Sequence, residues 1–525
     1  MSSQPPPSSE AIAIWFNQAE TARHAGDLEV ARKWLDQVLA HDPAHAGAMH
    51  AHGLVALMSN QFEPAQRWVE RAIATQADPA FYGTLCVIQI KLGAYADALQ
   101  TAQHGLARQP DSTALLYYHA LTLHLDGRPD EAAQVYFRLL ELQPDHRQTL
   151  ANLGAVLKDL GSLTEAERYL RQVLDIESSN RGARANLAQV LLAAGNYEEA
   201  WPYFEDREAN FVDAEGRPCP GNVRLPLPEW RGERLDAASG GGVSPSSRQR
   251  LLVVPEQGYG DSLQFARYLP LALERFAQVS YMCPQPLRRL YEQSLSARWP
   301  GLVMLDEALP DVSGWDYQCP LMSLPMAFGT RADSIPASSY LQADAERSAW
   351  WRARLASLPE PGLPRVGIVW AGGHSGLTGG RARNLAFAQI APLLALRWVR
   401  WISLQKTGDE AKRADARTGA CLTDWMDEVT DFADTAALID NLDLVIAADT
   451  SVAHLAAALG KPVWLLNRFA GGWRWLRDRD DSPWYPSMRI FTQPQRGDWS
   501  DVLNRVAVAV HQRFPLAGSA ATRVL

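Results

Sequence analysis

The polar and apolar positions of the first two hundred residues fall into blocks that repeat. "ARHAGDLEVARKWLDQVLAHDP", "LMSNQFEPAQRWVERAI", "IKLGAYADALQTAQHGLARQP", "HLDGRPDEAAQVYFRLLELQP", "LKDLGSLTEAERYLRQVL" and "LLAAGNYEEAWPYFEDR" share one layout. A turn residue falls at Gly26, Asn60, Gly93, Gly127, Gly161 and Gly195, at spacings of 34, 33, 34, 34 and 34. An alanine follows each by five residues: Ala31, Ala65, Ala98, Ala132, Ala166 and Ala200. Pro43, Pro110 and Pro144 close several of the units. The layout predicts two helices per unit. Gly or Asn at the turn can take the left-handed conformation that ends a helix, and the small alanine lets the second helix pack closely on the first. One such unit cannot bury its own apolar face, so the units are expected to stack into an all-α solenoid of about six repeats over residues 11–210.

This period and pattern resemble the tetratricopeptide repeat. The concave face of such a stack usually holds an extended segment of a partner; a spacer or a dimerisation arm is the alternative. Past residue 210 the pattern changes. Residues 211–250 read as a linker, and the stretch "AASGGGVSPSSRQ" within them as a flexible surface loop. "RLLVVPE" and "QVSYMCP" then read as strands, and "DSLQFARYLPLALERFA" and "PLRRLYEQSL" as helices, in one α/β unit over 251–345. A second unit, 362–497, opens on the strand "PRVGIVWAGG". It continues with the strand "RWVRWISLQ", the helix "DTAALIDNL" with Asp434 as candidate cap, the strand "LDLVIAAD", the helix "TSVAHLAAALG" and the strand "KPVWLLN". The amphipathic helix "WSDVLNRVAVAVHQRF", within 498–515, is expected to pack back on the first α/β unit. Strands alternating with helices predict two doubly wound parallel sheets facing a cleft.

Composition narrows the function. A net charge of −9 argues against nucleic acid as the main partner. Five scattered cysteines with no CxxC pair point to free thiols in a reducing compartment and carry no metal signature. "MSSQPPPSSE", residues 1–10, reads as a disordered tail without the layout of a signal peptide. No apolar stretch approaches the roughly 18 residues that span a bilayer. The expected location is the cytoplasm.

The candidate chemistry lies where strands end. In "EQGYGDSLQFARYLP", Gly258 and Gly260 allow a tight turn, and Asp261 follows at the carboxyl end of a strand. In "DLVIAADTSVAHLAAALGKPVWLL" a strand ends at Asp449 and a helix opens with Thr450 and Ser451. The first N–H groups of that helix have no internal partner and suit a phosphate, with the two hydroxyls and His454 within reach. The alternative is a plain helix cap with His454 half buried in packing. "VWAGGHSGLTGGRARNLAF" offers Gly372, Gly373, Arg381 and Arg383, and "SLQKTGD" offers Gln405 and Lys406. The arginines can clamp phosphate or carboxylate; a solvated loop and a surface lysine are the alternatives. Trp473 and Trp475 are candidates for stacking a base or sugar, or else part of a packed flap. Walker-type and GxSxG motifs are absent from the sequence, and metal ligands do not cluster.

Taken together, "GDSLQFARYLP" and "DTSVAHLAAALGKPVW" resemble the bacterial heptosyltransferase group of GT-B glycosyltransferases. The whole arrangement is similar to bacterial chains that join tetratricopeptide repeats to such a domain, and to the protein O-GlcNAc transferases. The resemblance implies an inverting, metal-independent transferase that uses a nucleotide-sugar donor and no cofactor. Asp261 would be the general base, and Asp449, Thr450, Ser451 and His454 would hold the donor's phosphate. It implies an acceptor protein on the repeats, with flagellin as precedent. A glycan acceptor, a non-catalytic scaffold and a homo-oligomer stay open. The loop "AGGHSGLTGGRARNL" is longer and richer in glycine than its counterpart in repeat-linked relatives, which leaves the donor open.

Overall fold

The computed structural model describes residues 9–210, 225–233, 247–307, 311–372, 383–406 and 422–515. The chain divides into two compact units, Met1–Ala183 and Arg184–Leu525. The first is a helical repeat solenoid. Its pairs are α1 (Ser9–His24) with α2 (Leu28–His41), α3 (Ala46–Met58) with α4 (Phe62–Thr75), α5 (Pro79–Lys91) with α6 (Tyr95–Leu106), α7 (Thr113–Leu125) with α8 (Pro129–Leu142), and α9 (Arg147–Asp159) with α10 (Leu163–Ile176).

Each first helix stops where the spacing places a turn. The φ values are +82° at Gly26, +56° at Asn60, +71° at Gly93, +82° at Gly127 and +81° at Gly161. The N–H of the next residue then reaches back to a carbonyl five positions earlier, Asp27 to Ala22 at 2.9 Å, Arg128 to Leu123 at 2.8 Å and Ser162 to Leu157 at 2.9 Å. These bonds satisfy carbonyls that a helix end leaves without partners. A Cβ added at Gly127 would meet nothing within 4 Å, so conformation rather than crowding selects glycine there. Ala31, Ala65, Ala98, Ala132 and Ala166 are fully buried. Helix α1 opens at Ser9, inside the stretch 1–10 expected to be disordered; residues 1–8 lie outside the described residues.

The division between units falls inside α11 (Arg181–Ala193), so α12 (Tyr197–Phe204) belongs to the second unit. That unit holds two parallel sheets. The strands of the first are β1 (Ser247–Val254), β2 (Phe276–Met282), β3 (Leu302–Leu305) and β4 (Tyr317–Pro320), in the order β3-β2-β1-β4. The second holds β5 (Arg365–Val369), β6 (Arg400–Ser403), β7 (Leu422–Thr423), β8 (Leu444–Ala448), β9 (Val463–Asn467) and β10 (Met488–Thr492), in the order β10-β9-β8-β5-β6-β7. All residues of β8 and β9 are buried, as in strands covered on both faces. Strand order reverses between β1 and β4 in one sheet and between β5 and β8 in the other. Such switch points open a crevice at the carboxyl ends of the strands.

Four readings of the pattern need correction. Residues 225–233, inside the expected linker, pair with the edge of β4. Trp230 N–H donates to Gln318 O at 2.8 Å, and the Gln318 amide donates to Leu225 O and Leu227 O at 2.7 and 2.8 Å. The helix Trp499–Arg513 packs on the second sheet, not back on the first α/β unit. Its stripe of Trp499, Val502, Val506 and Val510 shares a core with Val366, Trp401, Ile446 and Leu466. The cap of helix Phe432–Ile439 is Asp431, which accepts from Asp434 N–H at 2.9 Å. Finally, β3, β4, β7 and β10 are strands that the pattern did not single out.

Candidate functional site

On the first sheet, β1 leads into the turn Pro255–Gly258 and then the helix Tyr259–Phe265. The left-handed residue of that turn is Gln257, at φ +54°, while Gly258 is extended at φ −94° and ψ 171°. Gly260 has a different reason to be bare. A Cβ there would come 3.2 Å from His454 Cδ2 and 3.7 Å from Ser451 Cα. The helix carrying Asp261 therefore lies directly against the start of helix Ser451–Ala458, which follows β8. Asp261 and the segment 449–451 thus flank a single approach of the two α/β lobes.

Asp261 is not free at that approach. Its Oδ2 accepts from Gly258 N–H at 3.3 Å, and its Oδ1 accepts from Arg474 of the second lobe. Arg474 also donates through Nε to Gln264 Oε1. Glu256, within the turn, is buried with Arg207, which meets both its oxygens at 2.8 Å. Arg267, also buried, donates to Gln264 O at 2.8 Å, to Trp484 O at 2.6 Å and to Pro336 O at 3.2 Å, and packs over the ring of Tyr485. Its partners among the described residues are carbonyls, a hydroxyl and rings, not carboxylates.

Beside this approach a cavity of about 350 Å³ opens at the ends of β5, β6 and β8. Tyr259 and Pro286 line it from the first lobe, and Gly372, Lys406, Thr450 and Ser451 are among the residues lining it from the second. Lys406 Nζ donates to Val429 O at 2.6 Å. The Gln405 amide is spent on the loop after β5: its oxygen accepts from Trp370 and Ala371 N–H at 3.1 and 2.9 Å. A Cβ at Gly372 would meet Arg383 Nη2 and Thr450 Cγ2, each at 3.3 Å, so this glycine lets the two side chains converge. Thr450 is 7% exposed, and its hydroxyl has no hydrogen-bond partner among the described residues. Across the cavity Arg289 bridges the lobes to Asp431 at 2.7 and 2.8 Å and to Asp434 at 2.8 Å. Burial alone would raise the Asp434 carboxyl, but hydrogen bonds from Thr430 and Arg289 hold it at about 2.

Other expected site residues lie away from the cavity wall. His454 is buried; its Nδ1 lies 3.0 Å from the Tyr485 hydroxyl, and its ring stacks on Trp475. Burial pushes its pKa from 6.5 down to about 3, opposed by Asp449 and helped by Arg474, Arg267 and Arg383. It is therefore a neutral packing and hydrogen-bonding residue at pH 7 and not a cation for phosphate. Asp449 sits 3.9 Å from His454 Nε2, and its own charge repels a phosphate. Trp473 and Trp475 are both buried and present no face for a base or sugar. Trp473 packs edge-on to Trp201, Phe204 and Trp484, with ring centroids at 6.0, 5.8 and 5.8 Å. Gly373 and Arg381 lie outside the described residues. Arg474, Gln264 and Arg267 are the site residues that the sequence reading missed; no local motif marks them.

Residues 88–147 and 157–201 match tetratricopeptide repeat families, and residues 411–466 match glycosyltransferase family 9 (heptosyltransferase). Across 94% of its length the chain is 27% identical to Protein FlbA of Caulobacter vibrioides, covering 83% of that protein. Among solved structures, PilW, a widely conserved type IV pilus biogenesis factor, is 17% identical over 39% of this chain and 95% of its own, at a TM-score of 0.36. YrrB, a TPR protein with an unusual peptide-binding site, is 22% identical over 32% of this chain and 88% of its own, at a TM-score of 0.29. The chain thus joins tetratricopeptide repeats to a segment of glycosyltransferase family 9 type. Among the described residues, no helix is long and apolar enough to cross a membrane.

Proposed function

We propose that the second unit is an inverting glycosyltransferase of GT-B architecture. It would move a sugar from a nucleotide-sugar donor to a Ser or Thr hydroxyl of a protein captured by the repeats. One observation carries this reading: the helix bearing Asp261 lies against the start of helix Ser451–Ala458, at the carboxyl ends of two parallel sheets. Asp261 takes the proton of the acceptor hydroxyl as its oxygen attacks the anomeric carbon. The bond to the diphosphate breaks on the opposite face, so one displacement inverts the anomer. N–H groups at the start of helix Ser451–Ala458 and the Thr450 hydroxyl stabilise the charge on the leaving diphosphate. Arg383 and Lys406 add cationic charge, so transfer is expected to survive EDTA. The location proposed is the cytoplasm, where nucleotide sugars are made.

Intact-mass analysis of acceptors co-expressed with the protein tests this, beginning with flagellin. A sugar-sized increment that disappears with Asp261→Asn supports the reading. The heptosyltransferase match favours a second acceptor class, lipopolysaccharide or another glycan. An increment on glycan with none on protein would select that class. Transfer undiminished by Asp261→Asn would remove Asp261 as the base.

A further inference from the structure

We propose that Arg474 is a shared cation for which Asp261 and the diphosphate of the donor compete. This rests on the glycosyl-transfer reading above. Arg474 pairs through Nη2 with Asp261 Oδ1, and through Nε with Gln264. Both its chain neighbours are fixed. Trp473 is buried among Trp201, Phe204 and Trp484, and Trp475 is buried against His454. The backbone is therefore held while the long arginine side chain can change partner. The loop also lies across the end of β8: a Cβ at Gly472 would come 3.6 Å from Asp449 Oδ2.

The surroundings favour an additional anion. Arg267, whose partners among the described residues include no carboxylate, lies with Arg474 beside His454, where the carboxylates are Asp449 and the Asp261 already paired with Arg474. Thr450, on the adjoining wall, keeps a buried hydroxyl without a partner among the described residues. A diphosphate carries more charge than one carboxylate and offers more acceptor oxygens to a guanidinium. When it takes Arg474, Asp261 loses its cation and its lone pairs become available to the acceptor hydroxyl. Donor binding and base release are then one linked event.

Calorimetric titration of the full-length protein with inorganic pyrophosphate, and then with UDP, GDP, ADP and CDP, tests the competition. Arg474→Gln should weaken pyrophosphate binding about tenfold or more, with Arg474→Lys in between. Asp261→Asn should tighten it a few-fold, because the competing carboxylate is gone. The double variant should bind as weakly as Arg474→Gln alone. Unchanged or weaker binding in Asp261→Asn overturns the proposal, as does wild-type affinity in both Arg474 variants or no pyrophosphate binding by the wild type. The titration contains no acceptor and follows no transfer. It can therefore fail while Asp261 still proves to be the base, and it can succeed when Asp261 is not.

Discussion

The two units differ in how far along the chain their partners lie. In the solenoid, contacting side chains sit one repeat apart: His50 with Thr84 at 34 residues, Tyr117 with Asn152 at 35 and His124 with Asp159 at 35. In the second unit, Asp261 meets Arg474 across 213 residues, Arg267 meets Trp484 across 217 and Tyr197 meets Trp484 across 287. A quasi-one-dimensional stack spreads its stability over nearest neighbours, so damage there stays local. The α/β unit closes only when distant segments arrive together. Damage to one of them should therefore reach the site.

The largest effect is expected at Asp261. Asp261→Asn should lower transfer about a thousandfold, within the range of a lost general base, while both units melt as before; a loss below tenfold would count against the assignment. Next is Trp473→Ala, which should cost the second unit roughly 3–5 kcal/mol through the cavity it leaves. Calorimetry should show the α/β transition fall and the solenoid transition hold; a fall in both would erase the contrast between the units.

Acidification gives a smaller, graded effect. His454 is held neutral by burial, with its pKa lowered from 6.5 to about 3. The unfolded chain therefore binds the extra proton first. Stability is complete above pH 6.5 and declines as pH falls toward 3. Between pH 7 and 5 the loss should be about 2 kcal/mol. His454→Gln should flatten that slope. In the solenoid, burial also lowers His50, His52, His119 and His146, so the same sign is expected there, divided among several repeats. Asp434, held at about 2, should keep its bridge to Arg289 until the pH nears 2, and the stability it contributes should begin to fall only below about 4. The smallest effect is Gly127→Ala. A side chain at φ +82° should cost about 1 kcal/mol. Hydrogen exchange should quicken in α7 and α8 while α1 to α4 keep their protection.

The same contrast explains what could be read from the sequence. The turn residues were legible because the helix end, the glycine and the returning N–H are local, as with Leu123 and Arg128. The end of β8, expected at Asp449 and found at Ala448, and the start of the next helix, expected at Thr450 and found at Ser451, were legible to within one residue for the same reason. Arg474 was not, because it is one of four arginines between residues 474 and 489 that resemble one another in sequence, and only its fold partner distinguishes it. Trp473 and Trp475 were ambiguous because burial decides their role, and α12, far back in the chain, helps provide that burial. Residues 225–233 looked like linker because proline and glycine are common there; their hydrogen bonds belong to the edge of a strand nearly a hundred residues away.

The long reach of the Asp261–Arg474 pair also bears on synthesis. At about 5–20 residues per second, a ribosome needs roughly ten to forty seconds to travel from codon 261 to codon 474. The early repeats can close as they emerge. Tyr197, Trp201 and Phe204 cannot, since Trp473 and Trp484 have not yet been made. The nascent chain therefore carries an uncovered aromatic ledge on α12 until residues 473 and 484 have been made.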